Sequence, residues 1–511
     1  MLDSPSRRAV LRSSCAAFAL AARPALASAS DRTLTVVGPW ELTGLEPSRS
    51  GFMFARMDVM QTLLDVDDAG RMLPAVASAW HVSNDGLAWR FPIPPGRTFH
   101  DGTALDAASV LVSLQRAFAA PGVLKLAAIT SLAADGAAIV VTLAKPFAPL
   151  PYLFTHSTTL ILAPSSYDAA GRVRRIVGSG PYQLTSIAMP QQFDVARFAG
   201  WRGPAPAVAK ARYISVARSE TRALMAQSRQ ADLAFSLDPP SIRRLQHQAG
   251  AHLLAATLPR TTFIKLNAGH PFLQDVRVRQ AISLGIDRDG IARALLRDAD
   301  LGATQLFPPA MPLWHQAAMT PLRTDPAQAR LLLKQAGLTP GRDGILQRGG
   351  RRFALKLITF VDRPELPLIA TAVQEQMRQI GIAVQVVVGN SSDIPAGHRS
   401  GMFDMGLAAR NFGNLPDPMA TLAGDYGVHG GDWGAMNWHS PTLVAALARL
   451  ATSDANAARE RALVASELQA GLPVIPIVWY RQTMAVANRV QGASIDPFER
   501  SYRISTLKWT P

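Results

Sequence analysis

The sequence predicts an α/β protein with more than one lobe. The chain has 511 residues, which is more than a single hydrophobic core usually accommodates. Hydrophobic residues make up 48% and charged residues 17% of it, and this balance favours a large buried core over disorder. In residues 353–409, strand-like and helical patterns alternate, as they do in a sheet with parallel strands.

Residues 1–27 are predicted to be an export signal of the twin-arginine kind. The motif SRRAVL at 6–11 precedes a mildly apolar segment, and ALA at 25–27 or ASA at 27–29 provides a cleavage site between small residues. An ordinary secretory signal is the alternative, and both place the mature protein outside the cytoplasmic membrane, in the periplasm. Cys15, the only cysteine, would leave with the signal. Neither a disulfide nor a cysteine nucleophile is therefore expected.

The formal net charge of +15 at pH 7 raises the question of an anionic partner. The arginines are scattered, and no run of five or more basic residues occurs; the densest clusters lie at 172–175 and 348–352. We interpret them as a solvated surface and predict no nucleic-acid binding. No uncharged apolar run approaches the roughly 18 residues that a membrane-spanning helix needs.

The first elements after the signal are strands and turns. A strand is predicted at 33–37, and the loop at 38–44 follows it, a position that often carries function. The stretch 73–110 begins with a hairpin, because Asn84-Asp85-Gly86 separates two short runs of alternating apolar residues and Gly tolerates the positive φ of such a turn.

A helix that reaches about Ala119 follows this hairpin. Thr103 is the expected N-cap, and Asp106 favours the first turn through the helix dipole. Beyond the helix, Asp135-Gly136 is the turn of a second hairpin, whose later strand covers 138–143.

The second half of the chain contains a βαβ unit. A strand at 353–360, a helix at 366–380 that ends at Gly381, and a strand at 383–388 predict a right-handed crossover between parallel strands. A further strand is predicted at 403–409.

Ligands of open parallel sheets bind in the crevice beyond the carboxyl ends of the strands. That rule selects the loops at 361–365 and 410–418. The second loop reads RNFGNLPDP, and its side chains suit a polar ligand that is held by hydrogen bonds and ring contact. Turn formation alone is the alternative explanation of its Asn, Gly and Pro residues. The candidate ligand contacts in this loop are Arg410, Asn411, Phe412, Asn414 and Asp417.

Aromatic, polarisable and cationic residues elsewhere fit the wall of a binding cleft, although most aromatic residues of any protein belong to its core. Arg481 would pair well with a carboxylate if it faced the cleft. Motifs of metalloproteases, serine hydrolases and P-loop enzymes are missing from the sequence, so no catalytic residue and no cofactor are predicted. The further candidate contacts are Trp40, Phe52, Met53, Trp433, Trp438, Tyr480 and Arg481.

Several ordered segments carry a family resemblance. The stretch at 73–110, GSGPY at 178–182, the strand and helix at 262–296, and DPAQARLL at 325–332 resemble the family 5 extracellular solute-binding proteins. These proteins are the peptide- and nickel-binding components of ABC importers. The resemblance covers most of the mature chain, including the closing DPFERSY at 496–502.

The resemblance implies a two-lobe periplasmic binding protein fold, type II-like, with the extra subdomain of the peptide- and nickel-binding class. Two segments should cross between the lobes, near residues 260–265 and 480–487. The implied parts are lobe I at 28–262, with the extra subdomain at about 51–175, lobe II at 263–482, and a C-terminal tail at 483–511 that returns to lobe I.

The resemblance also implies a function. A monomer would capture a small polar solute, either a peptide-like compound or a metal chelate such as a nickel complex, by lobe closure, and would deliver it to a membrane permease. Peptide-binding relatives hold an α-ammonium group with an acidic residue before their Asp-Pro, whereas Asn414 stands at the nearest place here. His429 is the candidate ligand of a chelated metal. An extracytoplasmic hydrolase or amidase, and a sensor without an importer, are the alternatives.

Overall fold

The computed structural model describes residues 32–47, 51–247, 249–360, 363, 365–453 and 455–510. The predicted export signal lies outside these residues. The first half contains β1 (Thr33–Gly38), α1 (Phe52–Arg56), β2 (Leu64–Val66), β3 (Met72–Pro74), β4 (His81–Val82), β5 (Ala88–Pro92), α2 (Ala107–Ala119), β6 (Ile129–Asp135), β7 (Ala138–Leu143), α3 (Leu150–Leu153), β8 (Tyr182–Ala188), β9 (Gln192–Arg197), β10 (Lys210–Ser215), α4 (Ser219–Gln227), β11 (Leu233–Phe235) and α5 (Pro239–Gln246).

The second half begins with a long strand and returns to the sheet with another. Its elements are β12 (Ala251–Leu266), α6 (Val276–Leu284), α7 (Arg288–Ile291), α8 (Pro326–Gln335), β13 (Thr339–Pro340), β14 (Leu346–Arg348), β15 (Arg351–Arg352), β16 (Ala354–Phe360), α9 (Glu365–Gln379), β17 (Ala383–Gly389), α10 (Asp393–Ser400), β18 (Met405–Asn411), α11 (Met419–Tyr426), α12 (Pro441–Thr452), α13 (Ala457–Gly471), β19 (Val474–Ala487), β20 (Val490–Gln491) and β21 (Lys508–Trp509).

The central feature is a mixed sheet that runs through the whole molecule. Within the described residues it has ten strands in the order β17-β16-β18-β12-β19-β11-β1-β10-β9-β8. The predicted βαβ unit is present, since β16 and β17 pair in parallel and α9 connects them. The α/β fold class is thereby confirmed.

The two longest strands, β12 and β19, lie in the middle of this sheet and pair antiparallel. Their pairing is interrupted between Thr257 and Thr261, opposite Trp479–Arg481. The chain segments predicted to cross between the lobes lie within these two strands. The register of the two strands shifts at this break, and such irregularities bend the strand that carries them.

A smaller sheet, in the order β4-β5-β7-β6, stands beside the main one. Gly86 and Gly136, at its two hairpin turns, both have positive φ, as the sequence predicts. The helix α2 is not capped by Thr103. Asp106 is the N-cap, because its carboxylate accepts a hydrogen bond from the backbone N–H of Ser109, whose hydroxyl in turn accepts one from Asp106 N–H.

Hydrophobic clusters connect these parts. The tail beyond β19 packs against the first strands, since Tyr502, Ile504 and Leu507 share a buried cluster with Leu34 and residues of β8–β10. The small sheet shares another cluster with α11–α13. A backbone hydrogen bond of 2.7 Å from Ala148 N–H to Ala451 C=O joins these two regions directly.

Candidate functional site

The principal cavity lies where the first strands, the crossing strand β12 and the C-terminal tail meet. Its volume is about 600 Å³, within the range of small-molecule sites. One wall comes from the loop after β1, from α1 and from residues 155–157. Arg260 belongs to β12, Asn411 is the last residue of β18, and Asn414 lies in the loop after it. The tail supplies the polar and charged residues Asp496, Glu499, Arg500, Ser501, Arg503, Ser505 and Thr506.

Two arginines meet one carboxylate at this cavity. Arg56 Nε donates to the backbone carbonyl of Glu499 at 2.8 Å, and its Nη2 lies 3.8 Å from Glu499 Oε1. Arg260 Nη2 donates to Glu499 Oε2 at 2.7 Å. Both arginine side chains are only 9% exposed. Each is also stacked on aromatic rings: Arg56 lies 4.1 Å from the Trp40 centroid, and Arg260 lies 4.7 Å from that of Tyr480.

A second carboxylate, that of Asp58, lines the same cavity and forms no ion pair with any residue that the structure describes. Asp58 accepts hydrogen bonds from the Ser501 hydroxyl at 2.6 Å and from Ser505 N–H at 3.0 Å. Burial raises the pKa of Asp58, although these hydrogen bonds lower it. Asp58 also has a positive φ of 54°, a conformation that Asp tolerates better than most residue types. The cavity therefore holds both cationic and anionic groups.

His156 contributes a neutral ring to the wall. Its Nδ1 accepts a hydrogen bond of 3.1 Å from Thr158 N–H, and this places the proton of the neutral ring on Nε2. Burial lowers the pKa of His156 to about 4. His156 is therefore a hydrogen-bond donor through Nε2 at neutral pH and not a cation.

Four of the residues predicted as ligand contacts line the cavity. They are Trp40, Phe52, Asn411 and Asn414. Tyr480 lies next to it, beneath the guanidinium of Arg260. The structure thus brings the loop after β1, α1 and the loop after β18 to one place.

Three predicted contacts are core residues instead. Met53 and Phe412 are fully buried, and the Phe412 ring packs edge-on against Phe307. Asp417 is 5% exposed and accepts hydrogen bonds from Trp314 Nε1 at 3.2 Å and from Arg461 at 3.0 Å. Met53 and Phe412 pack in apolar surroundings, and Asp417 is paired with other residues of the protein. For these reasons the three side chains do not line the cavity.

Two predicted arginines are committed to partners within the chain. Arg410 binds Asp425 through two hydrogen bonds of 2.7 and 3.1 Å, and neither residue lines the cavity. Arg481 forms an ion pair with Asp298. Arg481 was predicted for a ligand carboxylate and Arg410 for a polar ligand, and each is paired with a carboxylate of the protein instead.

The remaining predicted contacts lie elsewhere. Trp433 packs against Phe360 with ring centroids 6.5 Å apart, and Trp438 packs on Gly471 at the end of α13. His429 is exposed and is not part of the cavity wall. In the described part of the chain no group of three or more His, Cys, Asp or Glu residues could hold a metal ion.

None of the Arg, Asp and Glu residues that line the cavity was predicted as a ligand contact from the sequence. Glu499 and Arg500 belong to the C-terminal segment DPFERSY at 496–502. This segment was interpreted as evidence for the family resemblance and not as part of a binding site. Arg56 and Asp58 follow Phe52 and Met53 within a few positions. A set of candidate contacts that extended over this whole segment would have included them. Arg260 had no local signal.

A buried lysine lies on β12, outside the cavity. Lys265 is 1% exposed. Its Nζ donates to the carbonyl groups of Gly431 at 2.7 Å and Asp432 at 3.0 Å, and it lies 3.0 Å from His398 Nδ1. Burial lowers the pKa of Lys265 to about 7, although the charges of Asp425 and Asp432 raise it.

Because the pKa of Lys265 is lowered in the folded protein, we expect the free energy of unfolding to depend on pH. The unfolded chain keeps the proton up to about pH 10, whereas the folded chain releases it near pH 7. Between these values the unfolded state binds more protons, so the stability of the wild type relative to Lys265→Met rises with pH, by at most about 1.4 kcal/mol per unit. Urea unfolding from about pH 7 to about pH 9 measures this difference. The exposed Lys356→Met is the control, and parallel curves for wild type and Lys265→Met would contradict the prediction.

Two long strands connect the sheet regions that bound the cavity. This arrangement is typical of one class of proteins, the lobed binding proteins. The family model "Bacterial extracellular solute-binding proteins, family 5 Middle" matches residues 71–432, which is most of the chain. The chain belongs to this family. Within the described residues no helix is long and apolar enough to cross a membrane.

Curated relatives and solved structures agree with this assignment. The glutathione-binding protein GsiB of Shigella flexneri serotype 5b is 26% identical over 334 residues, which are 64% of this chain and 63% of that protein. GsiB of Escherichia coli O1:K1 is 26% identical over 392 residues, or 74% of each chain. NikA from Brucella suis, solved with Fe(III)-EDTA, has a TM-score of 0.83 at 22% identity and covers 94% of this chain and 100% of its own. The lobed fold predicted from the sequence is confirmed.

Proposed function

We propose that the chain is the extracytoplasmic solute-binding component of an ABC importer. It captures a small polar solute in the cavity by closure of its lobes and delivers the solute to a membrane permease. The observation that carries this proposal is the cavity of about 600 Å³, to which α1, the crossing strand β12, the loop after β18 and the C-terminal tail all contribute. A solute in that place contacts every part that moves.

The strands β12 and β19 support a hinge. They are the long connections in the centre of the sheet, and their ladder is interrupted at Thr257–Thr261. A few backbone groups at such a break can absorb the rotation of one lobe against the other. The ligand then favours the closed state by the difference in its affinity for the two states.

The composition of the cavity wall supports a polar solute with hydrogen-bonding groups. The related GsiB proteins are named for glutathione, and NikA of Brucella suis was solved with a metal chelate. We accordingly assign a peptide-like compound or a chelate as the solute class. The proposal keeps three further predictions from the sequence. Residues 1–27 direct export to the periplasm through the twin-arginine route. The lobes comprise residues 28–262 and 263–482, and the protein acts as a monomer and binds no nucleic acid.

Small-angle scattering tests lobe closure. Addition of a bound solute from a panel of peptides, glutathione and nickel chelates is expected to reduce the radius of gyration, and chromatography of the mixture should return the solute intact. Hydrolysis of a panel member would favour the hydrolase or amidase alternative. An unchanged scattering curve with every solute would contradict the proposal. A wild-type sample without solute is the reference for both measurements.

A further inference from the structure

Positive charge is concentrated at one point of the cavity wall. Arg56 and Arg260 share a single carboxylate, that of Glu499. Arg56 Nη1 and Arg260 Nε are buried and have no hydrogen-bond partner within the described residues. Buried charges and unfilled N–H groups are costly, so this place favours a second anionic group.

The surroundings of Arg56 hold its guanidinium in a fixed orientation. Its Cζ lies 4.1 Å from the Trp40 ring centroid, 5.1 Å from that of Phe52 and 5.7 Å from that of Tyr502. Aromatic faces attract a guanidinium and leave its edge, which carries the N–H groups, for hydrogen bonds. Arg56 is thereby positioned before a ligand arrives.

Arg260 is held in the same way but on another element. Its Cζ lies 4.7 Å from the Tyr480 ring centroid, and it stands in β12 at the break of the ladder. Arg56 belongs to α1 and contacts the same glutamate, Glu499. An anion between the two guanidinium groups would therefore contact both the first lobe and the crossing strand.

The other two arginines of the cavity are paired with carboxylates of the protein. Arg500 forms ion pairs with Asp65 and Asp496, and Arg503 forms ion pairs with Asp68 and Asp496. Asp58 is satisfied by Ser501 and Ser505. The carboxylates that pair with Arg500 and Arg503 lie on the tail and at β2, so within the described residues Glu499 is the one carboxylate that forms ion pairs with Arg56 and Arg260.

We propose that Arg56 and Arg260 form a carboxylate subsite and select solutes that are organic acids. The proposal rests on the proposed function and names its substrate class. A guanidinium donates in a planar fork that matches a carboxylate. Glu499 keeps the two arginines in place, and the neutral donor His156 and the amide of Asn411 line the same cavity.

Calorimetric titration with matched solutes tests this subsite. The probes are glutathione and trialanine, each beside its counterpart with esterified or amidated carboxyl groups, and inorganic phosphate. The full-length mature protein is used as wild type, Arg260→Gln, Arg260→Lys and Arg56→Lys. Arg90→Gln is the control, because Arg90 is an exposed arginine paired with Asp135 on the small sheet. Thermal unfolding of each variant confirms that it is folded.

At least one free acid is expected to bind more tightly than its ester or amide. Arg260→Gln should weaken binding of that acid at least about tenfold and weaken binding of its ester or amide counterpart much less, while the losses for Arg260→Lys and Arg56→Lys lie between wild type and Arg260→Gln. Arg90→Gln should behave as wild type.

Other outcomes overturn the subsite. Equal losses for acid and counterpart would mean that the arginines are only structural. Binding that is insensitive to both arginines would leave the proposed function intact and refute the carboxylate subsite. Arginine-dependent binding of phosphate alone would refute the organic acid. Failure of every probe to bind would count against the subsite and the proposed function together.

Discussion

Replacement of Asp417 by asparagine is expected to lower the free energy of unfolding by about 3 kcal/mol. Asp417 is buried and accepts hydrogen bonds from Trp314 Nε1, from Met419 N–H at 2.9 Å and from Arg461 at 3.0 Å. Asparagine can still accept from Trp314 and Met419, but it offers Arg461 no charge. Arg461 is only 12% exposed, so it would remain as a buried cation without a partner.

Urea unfolding of the variant measures this loss. The control is Asp135→Asn, which removes an exposed ion pair with Arg90 and is expected to change the free energy of unfolding by less than about 0.5 kcal/mol. The same variant distinguishes a structural role of Asp417 from a role in solute binding. If Asp417 held the solute, Asp417→Asn would weaken binding and leave stability unchanged, and that result would contradict the structural role.

Asp417 shows what the sequence could and could not predict. The Asp-Pro dipeptide was correctly noticed as a marked feature, and its loop does reach the cavity through Asn411 and Asn414. The direction in which each side chain points depends on neighbours far away in the chain, here Trp314 and Arg461. Sequence spacing carries no information about them, so a carboxylate in a loop was indistinguishable from one that serves the core.

Local features were predictable because their causes are local. Gly86 and Gly136 have positive φ at the turns of their hairpins, and Asp325, the residue before a proline, caps α8 through Gln328 N–H. The interaction of Arg56 with Glu499 joins residues that are 443 positions apart. Such a contact follows only from the complete fold, and for this reason the charged part of the site was missed.

The cavity wall also depends on a close approach of two backbones, which the GSGPY turn makes possible. Gly180 N–H donates to Val59 C=O at 3.0 Å, and Tyr182 N–H donates to Asp58 C=O at 3.2 Å. A Cβ at Gly180 would lie 2.1 Å from the carbonyl oxygen of Asp58, a distance that real side chains do not show. The turn must therefore have glycine at this position for the segment with Asp58 to stay where it is.

Gly180→Ala is accordingly expected to lower the free energy of unfolding by about 3 kcal/mol and to weaken solute binding, because Asp58 and Pro181 line the cavity. The matched control is Gly44→Ala: a Cβ at Gly44 meets nothing within 4 Å, so the change in stability should stay within about 0.5 kcal/mol. Urea unfolding and calorimetric titration give the two quantities. Wild-type stability in Gly180→Ala would show that the two backbones can separate without cost, and the cavity wall would then not depend on this contact.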